Sequence, residues 1–152
     1  LKKVGAKIKL FKNSIHIKGP EKIKSIRNIT TKEYDGFPTD LAPQFMVLLC
    51  KANGTSSITE NIFQGRFLHA MELQRLGAKI SIKNRTAKIE GNTNFKAAEV
   101  MSSDLRASAA LILAGIVSKG NTIVTRVYHC DRGYEKIENK LKKIGVKIKR
   151  LK

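Results

Sequence analysis

The sequence predicts a mixed α/β (α+β) fold made of repeated βαβαββ units, a pseudo-threefold domain with one unit truncated. Three observations carry this. A phrase of helix end, glycine and strand start occurs three times, at residues 1–8, 73–80 and 141–148, with Gly5, Gly77 and Gly145 at its centre. Self-similarity at a near-constant period marks one supersecondary unit used several times. Between the phrases the order helix, strand, helix, strand, strand recurs. Lysine also alternates with isoleucine, as in Lys7-Ile8-Lys9, Lys22-Ile23-Lys24 and Lys147-Ile148-Lys149, which is strand periodicity with lysine on the solvent face.

The elements follow in order. Residues 1–30 read as the tail of a truncated unit, because the first phrase begins at a helix's last turn; this suggests the back end of a longer protein. The second unit, 31–95, opens at Thr39-Asp40-Leu41 with an apolar helix that stops at Gly54, followed by a strand at 57–59. A loop carrying Arg66 leads to a helix over 67–76 and then two strands, with Asn84-Arg85 as the hairpin tip. The third unit, 96–152, repeats this from Ser103-Asp104-Leu105, through an apolar helix to Gly120, a strand at 122–125, a loop with Arg132 and a helix over 134–144. Thr39 and Ser103 suit N-caps, and Asp40 and Asp104 suit the first turn, where the helix dipole favours an acid. Glycines after the helices suit left-handed termini. No linker divides the chain, so it reads as a single domain.

Composition excludes several classes. With 41% hydrophobic residues in regular period the chain is globular, and its apolar runs are too short to span a bilayer. Two cysteines, Cys50 and Cys130, make no disulfide framework and fit a reducing cytoplasm. The net charge of +18 suggests nucleic acid or an anionic surface. Its lysines lie on strand faces with few interleaved aromatics, so a solvated face is the better reading. His16, His69 and His129 are scattered, which argues against a metal site. His129-Cys130 looks like a base beside a nucleophile, but neighbours on a strand point to opposite faces.

Four charged residues fall at corresponding places in the repeats: Asp40 and Asp104 at helix starts, Arg66 and Arg132 in loops between strand and helix. Element ends are where side chains and backbone donors converge on ligands, and an arginine fork suits phosphate or carboxylate. Dipole partners and surface ion pairs are the plainer alternative.

Several blocks, taken together, resemble one family. They are Asp35-Gly36-Phe37-Pro38-Thr39-Asp40-Leu41 with Gln44-Phe45-Met46, then Ile58-Thr59-Glu60-Asn61-Ile62-Phe63, Arg66-Phe67 and residues 72–78. Ser103-Asp104-Leu105-Arg106-Ala107 and Asp131-Arg132-Gly133-Tyr134 complete the set. In this order they resemble the UDP-N-acetylglucosamine enolpyruvyl transferases (UDP-N-acetylglucosamine 1-carboxyvinyltransferases). The resemblance implies the enolpyruvyl transferase fold and transfer of the enolpyruvyl group of phosphoenolpyruvate to the 3-hydroxyl of UDP-N-acetylglucosamine. That is the first committed step of peptidoglycan synthesis in the bacterial cytoplasm, tied to cell-wall biogenesis, cell shape and division. It implies no cofactor and no metal.

By the same resemblance, Asp40 is the base for the sugar hydroxyl and Asp104 lies near the reacting carbon. Arg132 binds phosphoenolpyruvate, Arg66 and Arg106 are cleft arginines, and Ile62 contacts the UDP-sugar through its backbone. The family's N-terminal lysine and its loop with the proton-donating cysteine or aspartate have no match here, and Cys130 is not that cysteine. The missing N-terminal domain of the same enzyme is then a partner, and the chain alone carries half a site and little or no turnover. Gln64-Gly65 also departs from the family's usual acidic-amide pair. The alternatives are the sister enolpyruvylshikimate-phosphate synthase, a basic nucleic-acid-binding module, or a gene remnant.

Overall fold

The computed structural model describes residues 1–151. Strands β1 (Lys7–Leu10) and β2 (Ile15–Lys18) form an antiparallel hairpin with Lys7 opposite Lys18. Next come β3 (Ile29–Thr30), α1 (Ala42–Cys50), β4 (Thr55–Thr59), α2 (Leu68–Arg75), β5 (Lys79–Lys83) and β6 (Thr86–Glu90). This stretch closes a four-stranded sheet in the order β3-β4-β6-β5, with β3 parallel to β4 and the other pairs antiparallel. A parallel pair needs a crossover, and α1 supplies it. Strands β7 (Glu99–Met101) and β8 (Ile123–Thr125) repeat that parallel pairing across α3 (Leu105–Ile116), and the short helices α4 (Tyr128–Asp131) and α5 (Ile137–Lys143) follow.

The core lies between the sheets and the paired helices α1 and α3. Both helices are apolar over most of their circumference, as buried helices are. Met46, Leu49 and Cys50 of α1 meet Ala110, Leu111 and Ala114 of α3 in one cluster with Ile58, Ala87 and Ile89 of the sheet. The opposite sheet face carries Lys79, Ser81, Lys83 and Lys88, all exposed, while Ile80, Ala87 and Ile89 are buried against the core. Gly5, Gly77 and Gly145 of the recurring phrase have φ of 102°, 96° and 91°. This left-handed conformation costs glycine nothing and ends each helix at the same place.

The structure departs from the sequence reading in several places. Lys22-Ile23-Lys24 forms no strand, only an isolated bridge from Lys24 to Asn53, and in β2 Ile15 and Ile17 are exposed, so that hairpin has no buried isoleucine face. Thr39 caps no helix: a 3-10 turn, Thr39–Leu41, follows Pro38, and the Thr39 hydroxyl bonds Glu60 instead. The N-cap of α3 is Asp104 and not Ser103; its carboxylate accepts from the N–H groups of Arg106 and Ala107. His129 and Cys130 lie on α4, not on a strand. No strand forms after Gly145 among the described residues, since no sheet edge pairs with it; Arg150 instead folds back onto Asp131 and Glu138. Among the described residues no helix is long and apolar enough to cross a membrane.

Candidate active site

The 3-10 turn at Thr39–Leu41, the loop between β4 and α2, and the first turn of α3 meet at one edge of the core. Each presents a charged side chain there. Asp40 Oδ1 accepts from Arg66 Nη1 at 3.2 Å and from Arg106 Nη1 at 3.1 Å. Arg106 Nε in turn lies 3.4 Å from Asp104 Oδ1. Four of the residues singled out in the sequence therefore form one chain of contacts, Arg66–Asp40–Arg106–Asp104. The Asp40 carboxylate is 68% exposed while the two guanidinium side chains are 25% and 29% exposed. Ion pairs this open contribute roughly 0–1 kcal/mol each, so stability is a weak explanation for them; what they do is hold charges in place at an open surface.

Asp104 has two tasks. Its carboxylate caps α3, and although burial alone would raise its pKa, hydrogen bonds from Ala107 and Arg106 and the Arg106 charge hold it below the usual carboxylate range. It stays an anion beside Arg106. Because both arginines bind Oδ1 of Asp40, Oδ2 is the oxygen left to a ligand.

A buried carboxylate that the sequence reading quoted only as part of a block stands behind this cluster. Glu60, the residue after β4, is 2% exposed. Its Oε1 accepts from the Thr31 hydroxyl at 2.8 Å and from the N–H groups of Ile62 at 2.7 Å and Phe63 at 3.0 Å; its Oε2 accepts from the Thr39 hydroxyl at 2.6 Å. Burial pushes its pKa up, but the bonds from Thr39, Phe63, Thr31 and Ile62 together outweigh that and hold it below its ordinary value. Glu60 thus ties the Thr39 turn to the turn at Ile62, whose N–H it accepts. A lone Glu directly after a strand of Thr, Ser and Ile was the available signal.

His69 is the second residue the sequence left unassigned. It is 3% exposed on α2, its Nε2 has no hydrogen-bond partner among the described residues, and burial drives its pKa down to about 4, so it is neutral at pH 7. Arg132 stands apart: it follows α4, is exposed, and makes no ion pair or hydrogen bond with the cluster. Cys50 and Cys130 are free and buried, and burial pushes the Cys50 thiol up to about 12, so neither suits a nucleophile. Among the described residues no group of His, Cys, Asp or Glu is placed to hold a metal ion.

A sequence model of the family described as EPSP synthase (3-phosphoshikimate 1-carboxyvinyltransferase) matches residues 1–141. The chain belongs to that family. Within it, the chain is 62% identical over 151 residues to a UDP-N-acetylglucosamine 1-carboxyvinyltransferase of Pelagibacter ubique, covering 99% of this chain and 36% of the relative. It is 51% identical over 149 residues to the protein of the same name from Helicobacter pylori strain ATCC 700392 / 26695, covering 98% and 35%. The chain thus spans about a third of the length of the curated relatives it matches. Among solved structures, the enolpyruvyl transferase NikO from Streptomyces tendae superposes with a TM-score of 0.89 at 24% identity, over 97% of this chain and 34% of that one. An EPSP synthase from Acinetobacter baumannii superposes at 0.70 with 18% identity, over 99% and 35%. The family's fold is therefore the fold of this chain.

Proposed function

We propose that this chain supplies part of the active site of a UDP-N-acetylglucosamine 1-carboxyvinyltransferase. The observation that carries the reading is the convergence of Asp40, Arg66, Arg106 and Asp104 at one open edge. In this reading UDP-N-acetylglucosamine lies with its 3-hydroxyl against Oδ2 of Asp40 and meets the backbone of Ile62. Asp40 takes the hydroxyl proton as the oxygen adds to C2 of phosphoenolpyruvate. In the same addition the proton donor of the N-terminal domain delivers a proton to C3; loss of a C3 proton then re-forms the double bond as the C2–O bond to phosphate breaks, giving an enol ether and inorganic phosphate. Arg66, Arg106 and Arg132 offset the charge of phosphoenolpyruvate and of the departing phosphate. Asp104 keeps Arg106 aimed at this space.

Identity favours the UDP-sugar enzyme over the sister synthase: relatives at 62% and 51% carry the former name, and the solved synthase stands at 18%. The remaining parts of the site, including the proton donor and a lysine for phosphoenolpyruvate, belong to an N-terminal domain of the same enzyme. We assign the 1–30, 31–95 and 96–152 units as successive repeats of one domain, acting in the bacterial cytoplasm in cell-wall synthesis.

The test is a chimera in which this chain replaces the stretch it matches in the Pelagibacter ubique protein. Phosphate release that requires both phosphoenolpyruvate and UDP-N-acetylglucosamine supports the reading. A folded chimera that releases none refutes it.

A further inference from the structure

We infer that Thr39 is a positioning residue that aims Arg66 at Oδ1 of Asp40 and thereby keeps Oδ2 open for the ligand hydroxyl; this rests on the reading of Asp40 given above. A threonine hydroxyl has one proton and two lone pairs. At Thr39 the proton is spoken for, because Glu60 Oε2, 2.6 Å away, belongs to a buried carboxylate that can only accept. The lone pairs must then face a donor, and Arg66 Nη1 is that donor at 3.1 Å.

The same Nη1 reaches Asp40 Oδ1 at 3.2 Å. This nitrogen carries two hydrogens, so Thr39 takes one and Asp40 the other, which fixes the rotation of the guanidinium. The Phe63 ring lies 3.7 Å from the Arg66 guanidinium carbon and fixes its plane. Glu60 also holds the N–H of Phe63, so a single buried anion places both supports of Arg66. Asp40 itself is too exposed to orient an arginine by charge alone. Without the Thr39 acceptor, the second hydrogen of Nη1 has nowhere to go but solvent or the other carboxylate oxygen. Arg66 then turns its fork onto Asp40 in the two-bond geometry guanidinium and carboxylate prefer, and occupies Oδ2.

Thr39→Val keeps the shape and removes the acceptor, and Thr39→Ser keeps the hydroxyl. Two readouts separate this inference from the function it rests on. In this chain, nitrogen NMR of Arg66 is expected to show restricted rotation about the guanidinium in the parent and in Thr39→Ser, with altered Nη shifts in Thr39→Val. In the chimera, Thr39→Val is expected to lower kcat by about tenfold or more while KM for phosphoenolpyruvate changes by less than about threefold, and Thr39→Ser is expected to recover most of the rate. Arg66 signals and kcat both unmoved by Thr39→Val would overturn the inference. So would a rate lost equally in both variants and restored by cooling, which marks a purely structural role. An inactive parent chimera contradicts the proposed function, and the Arg66 spectra still decide the role of Thr39.

Discussion

Replacing Glu60 by glutamine probes the anion on which the site is built. The carboxylate accepts four hydrogen bonds, from Thr31, Thr39, Ile62 and Phe63, at 2.6 to 3.0 Å. Bonds to a charged acceptor are worth roughly 1.5–3 kcal/mol each and about twice neutral ones. Glutamine keeps an oxygen for three of the donors, weakens each, and turns an NH2 toward Thr39. The expected loss is about 2–4 kcal/mol at pH 7. The pH dependence has a definite sign. Glu60 has a folded pKa below its unfolded one, so its stabilisation is complete above the unfolded value of 4.5 and disappears as pH falls through the folded value. Urea denaturation of the parent chain and Glu60→Gln, compared at pH 7, 5, 4 and 3, should therefore give a stability difference that shrinks below about pH 4.5. Asp104 is also held low, so both proteins lose stability in acid; only the difference reports Glu60. A difference that is near zero at pH 7, or constant across the range, would refute the reasoning.

Three further outcomes are expected. Gly91→Ala places a Cβ 1.9 Å from the Ala52 carbonyl oxygen, a backbone atom that cannot step aside, so a loss of about 3 kcal/mol or more in urea denaturation, or failure to fold, should result. Asp104→Ala removes the cap of α3 and its bonds to Arg106 and Ala107 at 2.8 and 3.1 Å, which should cost about 1–2 kcal/mol in the same assay. Cys50, pushed up to about 12 by burial, should resist a thiol reagent at pH 8 in the native chain and react once urea unfolds it.

Much of the fold was legible because its signals are local. The glycine phrase set three helix ends, and lysine–isoleucine alternation found the strand at Lys7–Leu10, though not those expected at 22–24 and 147–149. What failed to show depends on partners distant in sequence. Thr39 reads as a cap by its type and place, yet Glu60, far along the chain, offers its hydroxyl a stronger acceptor. Residues 147–149 have strand periodicity, but a strand needs an edge to pair with, and Arg150 turns to Asp131 and Glu138 instead. Gly91 gave no turn signal; its need comes from the Ala52 backbone pressed against it.

The site divides the same way. Asp40, Arg66 and Asp104 stood out by recurring at repeat positions, and with Arg106 they meet in space. Arg132 shares that recurrence but makes no contact with them. The supporting layer of Glu60 and Thr39 was invisible as a unit, since a buried carboxylate is recognised by its donors and these come from three separate segments.

The central claim is that Asp40 takes the proton of the sugar hydroxyl. Mass spectrometry of the chimera's products, with and without Asp40→Ala, tests it most directly. The account predicts enolpyruvyl ether of UDP-N-acetylglucosamine and phosphate in equal amounts, with the rate falling by about a hundredfold or more in the variant. An Asp40→Ala enzyme that forms the ether at close to the parent rate would contradict it.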